Sequence, residues 1–357
     1  MMKFAKILFL LVFTAMSTCA YSAPVQVKNN SAWKAQIFLA NQIKGIGLVD
    51  SYQEDASDIS YVYDNALAAI AFTITGNYGL AQEILATLST EVKLSLDNVP
   101  YESYTFSDAS GRGNGVSYCG NTAWLLQAYT IYQKHTNSKE FLATQRLLAD
   151  FLLKLQDSND AGLRGSTYDS WKSTEHNIIA CAALSNYGRL NNLFSYYSKA
   201  QKIKKFITSP AVWDGTRFNR GPFDSTAVTD VQSLGVLLLG VKYSAALSWA
   251  ENNLGLIKPL NNSSALIKGF DYNSHLDTVW LEGTLQMSLA FLRAHVSSKY
   301  SFYLNEATKA QQKDGSVLLA TNTGDASDFW TLQPWKAIAP TCWLIFNRLK
   351  FNPLILY

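Results

Sequence analysis

The amino-acid sequence predicts an all-α protein, an (α/α)6 toroid of six inner and six outer helices, on three observations. Six segments are apolar on nearly every side, rich in small residues and poor in charge, the pattern of helices buried all round. Six others repeat apolar residues at three and four, with charge on the remaining face, the pattern of helices covered on one side only. The two kinds alternate, and the apolar ones begin at 59, 119, 173, 227, 277 and 336, a period of about 55 residues. The repeating unit is therefore one helical hairpin plus one long loop, and an open solenoid gives no reason for such a contrast between inner and outer members.

The outer helix at 31–42, with Asn30 as its N-cap, pairs with the last apolar segment and closes the circle. The other couples are 59–75 with 78–93, 119–134 with 139–156, 173–187 with 191–207, 227–240 with 245–254, and 277–294 with 299–313; the sixth inner segment is 336–349. In 139–156, Leu147, Leu148, Phe151, Leu152 and Leu155 cover one face, while Lys139, Glu140, Arg146 and Lys154 lie elsewhere. Pro340 predicts that the sixth inner helix is kinked or starts late.

Inner-to-outer connections are tight, as at Gly76-Asn77 and Asn137-Ser138. Outer-to-inner connections are long: 43–58, 94–118, 157–172, 208–226, 255–276 and 314–335. Each long loop delivers the chain to an inner N-terminus, so all six gather at one mouth, and loops of this length in a packed domain usually serve function. The stretches 162–166, 215–222, 269–275 and 314–322 alternate enough to form short hairpins there.

Ahead of the toroid, Lys3 and Lys6 precede an apolar run from Ile7 to Met16, followed by small residues Ala20, Ser22 and Ala23. This is a secretory signal, 1–23, leaving 24–357 as one domain of an exported protein, periplasmic or secreted; Cys19 also admits a lipoprotein reading. The apolar run is too short to span a bilayer, so no membrane span is expected. Thirty Lys and Arg against 27 Asp and Glu give a net charge of +3, which makes no electrostatic case for nucleic acid. Cys119, Cys181 and Cys342 sit in apolar contexts without zinc-type spacing, and read as buried packing residues; neither metal nor organic cofactor is expected. A monomer is the default for a closed ring.

Charged residues are only 16% of the chain, so carboxylates inside apolar segments carry information. Asp64, Glu175, Asp230, Asp277 and Glu282 lie in or at the start of inner helices and should project into one central cavity, where burial raises a carboxyl pKa as a general acid requires. Glu175 and Asp64 are the preferred catalytic pair, with Glu282 and Asp277 as substitutes. Capping accounts equally for Asp230 and Asp277, and a structural hydrogen-bonding role for Glu282. His176, Tyr63, Asn65, Tyr118, Asn121, Trp171, Asp230, Trp280 and Trp335 surround these positions and are expected to contact substrate. Flat side chains with polar edges beside carboxylates suit a sugar ring, whose C–H faces stack and whose hydroxyls need partners. Arg112 reads as part of a flexible glycine-rich loop; Arg164, Arg217 and Arg220 are candidates for binding uronic carboxylates, with solvation the default.

The stretches 63–67, 173–177, 269–273 and 280–287, and the ending Phe351-Asn352-Pro353, resemble bacterial proteins of the six-hairpin glycosidase-like superfamily over most of the mature chain. The resemblance implies an (α/α)6 toroid with a carbohydrate-binding cleft and acidic catalysis. It does not select the reaction. The expected activity is glycoside hydrolysis by paired carboxyls, with two alternatives: a lyase or epimerase acting on uronic-acid glycans through His176 or a tyrosine, and a catalytically silent glycan-binding or cell-envelope protein.

Overall fold

The computed structural model describes residues 31–113, 115–327 and 330–357. The signal segment 1–23, Cys19 and the Asn30 cap lie outside the described residues. Twelve α-helices are described: α1 Ser31–Gln42, α2 Val62–Ile74, α3 Tyr78–Ala86, α4 Cys119–Thr136, α5 Leu142–Lys154, α6 Thr174–Leu190, α7 Phe194–Ile207, α8 Thr229–Leu239, α9 Ala245–Asn253, α10 Leu281–Arg293, α11 Ser297–Thr308 and α12 Ile338–Arg348. The even-numbered helices form the inner ring. Each touches the next, α2 with α4 and so on to α12, and α12 returns to α2, so the circle is closed. Outside it, α3, α5, α7, α9 and α11 pack on the inner helix that precedes each, and α1 packs on α12.

Burial separates the two rings as the residue pattern requires. In α2, eleven of 13 residues are buried, whereas α7 buries only five of 14. An Ala-rich helix such as α2 lets neighbours approach on both flanks, while α7 covers the core with Tyr196, Ala200, Ile203, Phe206 and Ile207 and turns its lysines outward.

Several elements differ from the sequence expectation. The inner segments predicted to start at 59 and 336 begin as strands, and their helices start at Val62 and Ile338. Pro340 is consequently the third residue of α12, where the backbone N–H groups have no intrahelical partner anyway, so it costs no hydrogen bond. The segment predicted from 277 begins its helix only at Leu281. The mouth loops carry five two-stranded antiparallel ribbons: β1 Ile43–Lys44 with β2 Leu48–Val49, β3 Ile59–Tyr61 with β4 Ser103–Thr105, β5 Gly255–Pro259 with β6 Leu266–Phe270, β7 Val317–Leu318 with β10 Lys336–Ala337, and β8 Gly324–Ser327 with β9 Trp330–Leu332.

At the opposite end every inner helix is followed by one residue in the left-handed region: Gly76, Asn137, Asn192, Gly240, His295 and Lys350. A single such residue reverses the chain within a few positions, which is why these connections are tight. The C-terminal segment then crosses this end. Pro353 O accepts from Gln127 Nε2, Leu354 O accepts from Asn186 Nδ2 at 3.0 Å, and Asn352 Nδ2 donates to Leu237 O at 2.9 Å, tying the tail to α4, α6 and α8.

Candidate active site

At the mouth the inner helices share a register. Their second residues are Tyr63, Gly120, Glu175, Asp230, Glu282 and Ala339, and all six line one cavity of about 570 Å³. Side chains at this position stand on the first turn, where the helix N-termini converge. Asp64, Asn121 and His176, each one residue further on, join them, Trp124, Leu234 and Gln286 line the cavity from further along their helices, and Tyr52, Tyr61, Glu102, Tyr272, Trp280 and Trp330 from the loops complete the wall. Gly120 has a packing reason: a Cβ there would meet the His176 ring at 2.5 Å.

Four of these carboxyls come from four different inner helices, and burial raises each. Asp64, Glu175 and Asp230 are pushed up to about 7, and Glu282 to about 8. For Glu282 and Asp230 the neighbouring carboxylates raise the value further, while for Asp64 the Ser51 hydroxyl and the Ala339 amide oppose the rise. Glu282 is anchored by the Tyr63 hydroxyl, which donates to Oε1, and by Gln286 Nε2 at 3.1 Å. Trp343 Nε1 donates to the Tyr63 hydroxyl from behind, at 3.4 Å. His176 Nε2 lies 3.4 Å from Glu175 Oε2, and burial lowers its pKa to about 4, so the imidazole is neutral at pH 7.

The expected site residues divide into three groups. Asp64, Glu175, Glu282, His176, Tyr63, Asn121, Asp230 and Trp280 line the cavity. Trp171, Tyr118 and Trp335 stand outside that wall: Trp171 stacks on Tyr118 and packs on His176, and Trp335 packs 5.9 Å behind Tyr52. Asn65 and Asp277 are elsewhere. Asn65 is fully buried, its Oδ1 accepting from Val49 N and its Nδ2 donating to Ser60 Oγ and Tyr61 O, because one further step of about 100° carries it off the cavity face. Asp277 precedes α10 in the loop, where Oδ2 accepts from Asp325 N at 3.0 Å. Together with His275 and Asp325 it forms a group whose potential ligand atoms lie within 4.8 Å of one another, outside the cavity wall.

Sequence reasoning does not single out Tyr52, Glu102, Tyr272 or Gln286. Gln286 is legible as the residue four after Glu282 on the same face. The other three sit in loops, where no periodicity marks them. Cys119, Cys181 and Cys342 are buried, with thiols raised by burial, which removes the thiolate that nucleophilic chemistry needs.

No protein-family model matches the chain, and no curated protein is similar to it in sequence. Solved structures are similar in fold. A glycosidase variant superposes with a TM-score of 0.69 at 10% identity, covering 91% of this chain and 97% of its own. A D-mannose isomerase gives 0.69 at 11% identity, covering 90% and 95%. A glycoside hydrolase family 76 mannosidase from Bacteroides thetaiotaomicron gives 0.61 at 11% identity, covering 90% and 98%. The (α/α)6 toroid is thus the fold of this chain.

Proposed function

We propose that this protein is an exported carbohydrate-active enzyme that hydrolyses glycosidic bonds, with Glu175 as general acid and Asp64 as the carboxylate that activates water or attacks the anomeric carbon. The observation that carries the reading is the ring of four carboxyls on four helices, Asp64 and Glu282 buried and Glu175 and Asp230 half-buried, each raised to about 7 or 8 in a cavity walled by aromatic side chains. A carboxyl with a pKa near the working pH both holds a proton and releases it to a leaving oxygen. Asp64 has the better environment for the charged role, since the Ser51 hydroxyl and the first-turn amide of Ala339 face it. Trp280 carries a buried indole N–H without a protein partner, a donor suited to a sugar hydroxyl. The solved glycosidases of like fold agree with this reading.

A uronate lyase needs a cation for its substrate carboxylate. Among the described residues lining the cavity there is no Lys or Arg. Arg112 donates to Ser57 O and Asp58 O, Arg164 to Lys154 O, and Arg217 and Arg220 pair with Asp214 and Asp224. One observation does favour a second reading: the neutral imidazole of His176 beside Glu175 is suited to moving a proton on a sugar carbon, as an epimerase or isomerase requires.

The test is reducing-sugar release by the mature protein across neutral and uronic polysaccharides, with Glu175→Gln alongside. Release that disappears in the variant supports the assignment, and release unchanged in the variant refutes it. Interconversion of free sugars without release, followed by NMR, is the result the epimerase reading predicts; neither result returns the protein to glycan binding alone.

A further inference from the structure

Beside the first cavity lies a second, of about 620 Å³, and the two share Glu175, His176, Asp230 and Tyr272 in their walls. Asp64 and Glu282 face the first cavity only. The carboxyl pair proposed above is therefore unequal in placement: Asp64 belongs to one chamber, whereas Glu175 stands at the junction of both. A general acid has to reach the oxygen between two sugar units, and a junction is where that oxygen sits when one unit fills each chamber.

The second chamber is furnished for such an occupant. Trp171 forms part of its wall, half exposed, with one flank supported by Tyr118 at 6.2 Å and His176 at 5.5 Å. The ring also covers Gly165, where a Cβ would meet it at 2.3 Å, so the backbone beneath is shaped to the indole. Phe223 lies on the same wall, fully exposed and at φ 69° in the turn closed by the Arg220–Asp224 ion pair. A bulky apolar residue held in the left-handed region and in water gains nothing for folding. Both rings offer flat apolar faces to a sugar, and the nearby charges are spoken for: Lys172 by Asp157 and Asp160, Arg220 by Asp224.

We infer that the second cavity is the leaving-group side of an extended glycan site, with Trp171 and Phe223 as its stacking platforms, so that the substrate is a chain with sugar units on both sides of the bond at Glu175 and not a simple glycoside. This rests on the hydrolase reading. In the step, water adds its oxygen to the anomeric carbon held in the first cavity, the glycosidic C–O bond breaks, and the proton of Glu175 goes to the departing oxygen on the second-cavity side. The proton lost by water goes to Asp64, so charge and atoms balance.

The experiment uses the mature protein with neutral hexose ladders, from mono- to hexasaccharide in several linkages, and the matching 4-nitrophenyl hexosides. Binding is followed by NMR titration and turnover by product sizes. Affinity is expected to rise at least ten-fold between the mono- and the hexasaccharide. Trp171→Ala and Phe223→Ala should lower kcat/KM on the hexasaccharide about ten-fold more than on the nitrophenyl hexoside. Length-dependent binding that Trp171→Ala abolishes, without turnover, makes the second cavity a glycan-binding groove and overturns both the hydrolase reading and the leaving-group assignment. Turnover in which both variants lose equally on short and long substrates, or lose nothing, sinks the inference and spares the hydrolase reading. Absence of binding by every ladder overturns both. Phe223 is fully exposed, so a folding defect in Trp171→Ala does not remove the test.

Discussion

The two ends of the inner ring treat their polar side chains in opposite ways. At the closed end Gln127 and Asn186 are buried in α4 and α6, and the chain itself satisfies them: they bond to each other at 3.2 Å and to the carbonyls of Pro353 and Leu354. At the mouth Asp64, Glu175, Asp230 and Glu282 are just as firmly set in the inner helices, but they face a cavity and one another. Polar groups inside a toroid are therefore structural where the tail covers them and available for chemistry where it does not. Mutations at the two ends should separate stability from activity.

The largest effect is expected from Asp64→Asn. On the proposed mechanism it lowers turnover by about 10²- to 10⁴-fold, while stability at pH 8 holds or rises, because a buried charge held near its neighbours is removed. Activity assay and urea denaturation on the same preparation check both halves. Loss of stability with activity retained would erase the contrast between the ends. Asn186→Ala is the converse: it strips the Leu354 carbonyl and the Gln127 oxygen of a donor and should cost about 1–3 kcal/mol. Turnover at 25 °C should be unchanged, and a loss of activity without loss of stability would show that the closed end communicates with the mouth.

Why the closed end is illegible from sequence follows from the same geometry. The six inner segments declare themselves through composition, and Asp64, Glu175, Asp230 and Glu282 stand out as rare charges within them. Gln127 and Asn186 give no such signal, since an amide in an apolar helix reads alike whether its partner is a ligand or a tail some 170 residues away. Asn65 and Asp277 mislead for a related reason. Proximity to Asp64 or to a helix start marks a neighbourhood, but one residue of helix rotates a side chain off the cavity, and four residues of late start leave Asp277 in the loop. Tyr52, Glu102 and Tyr272 reach the wall from long loops, whose path no periodicity encodes.

The mouth also sets the pH dependence of folding. Carboxyls raised to about 7 or 8 keep their protons in the folded chain at a pH where the unfolded chain has released them. The folded state therefore binds more protons, and stability should fall as pH rises from about 4.5 to 8. His176, lowered to about 4, works the other way between pH 6.5 and 4, and His135 is lowered by burial too, but Glu102, Asp50 and Asp271 are raised by burial and add to the four carboxyls. Glu282→Gln should flatten the decline by at most about 1.4 kcal/mol per pH unit, the value of one proton. Denaturation at half-unit pH steps reads the slope. A slope that Glu282→Gln leaves unaltered would mean that the carboxyls ionise freely and that the cavity is wetter than its walls suggest.

The smallest effect belongs to the tight turns of the closed end. His295 takes φ 64° after α10, and Asn137 takes φ 58° after α4. The left-handed region strains a side chain with an ordinary Cβ, but Asn tolerates it through local hydrogen bonding. His295→Gly should therefore stabilise the protein by about 0.5 kcal/mol, the relieved strain exceeding the added freedom of the unfolded chain. Asn137→Gly should be close to neutral. The pair is read as a difference between two denaturation midpoints. If His295→Gly destabilises instead, the imidazole contributes contacts that outweigh its backbone strain, and the turn after α10 is held by its side chain as well as by its dihedral angle.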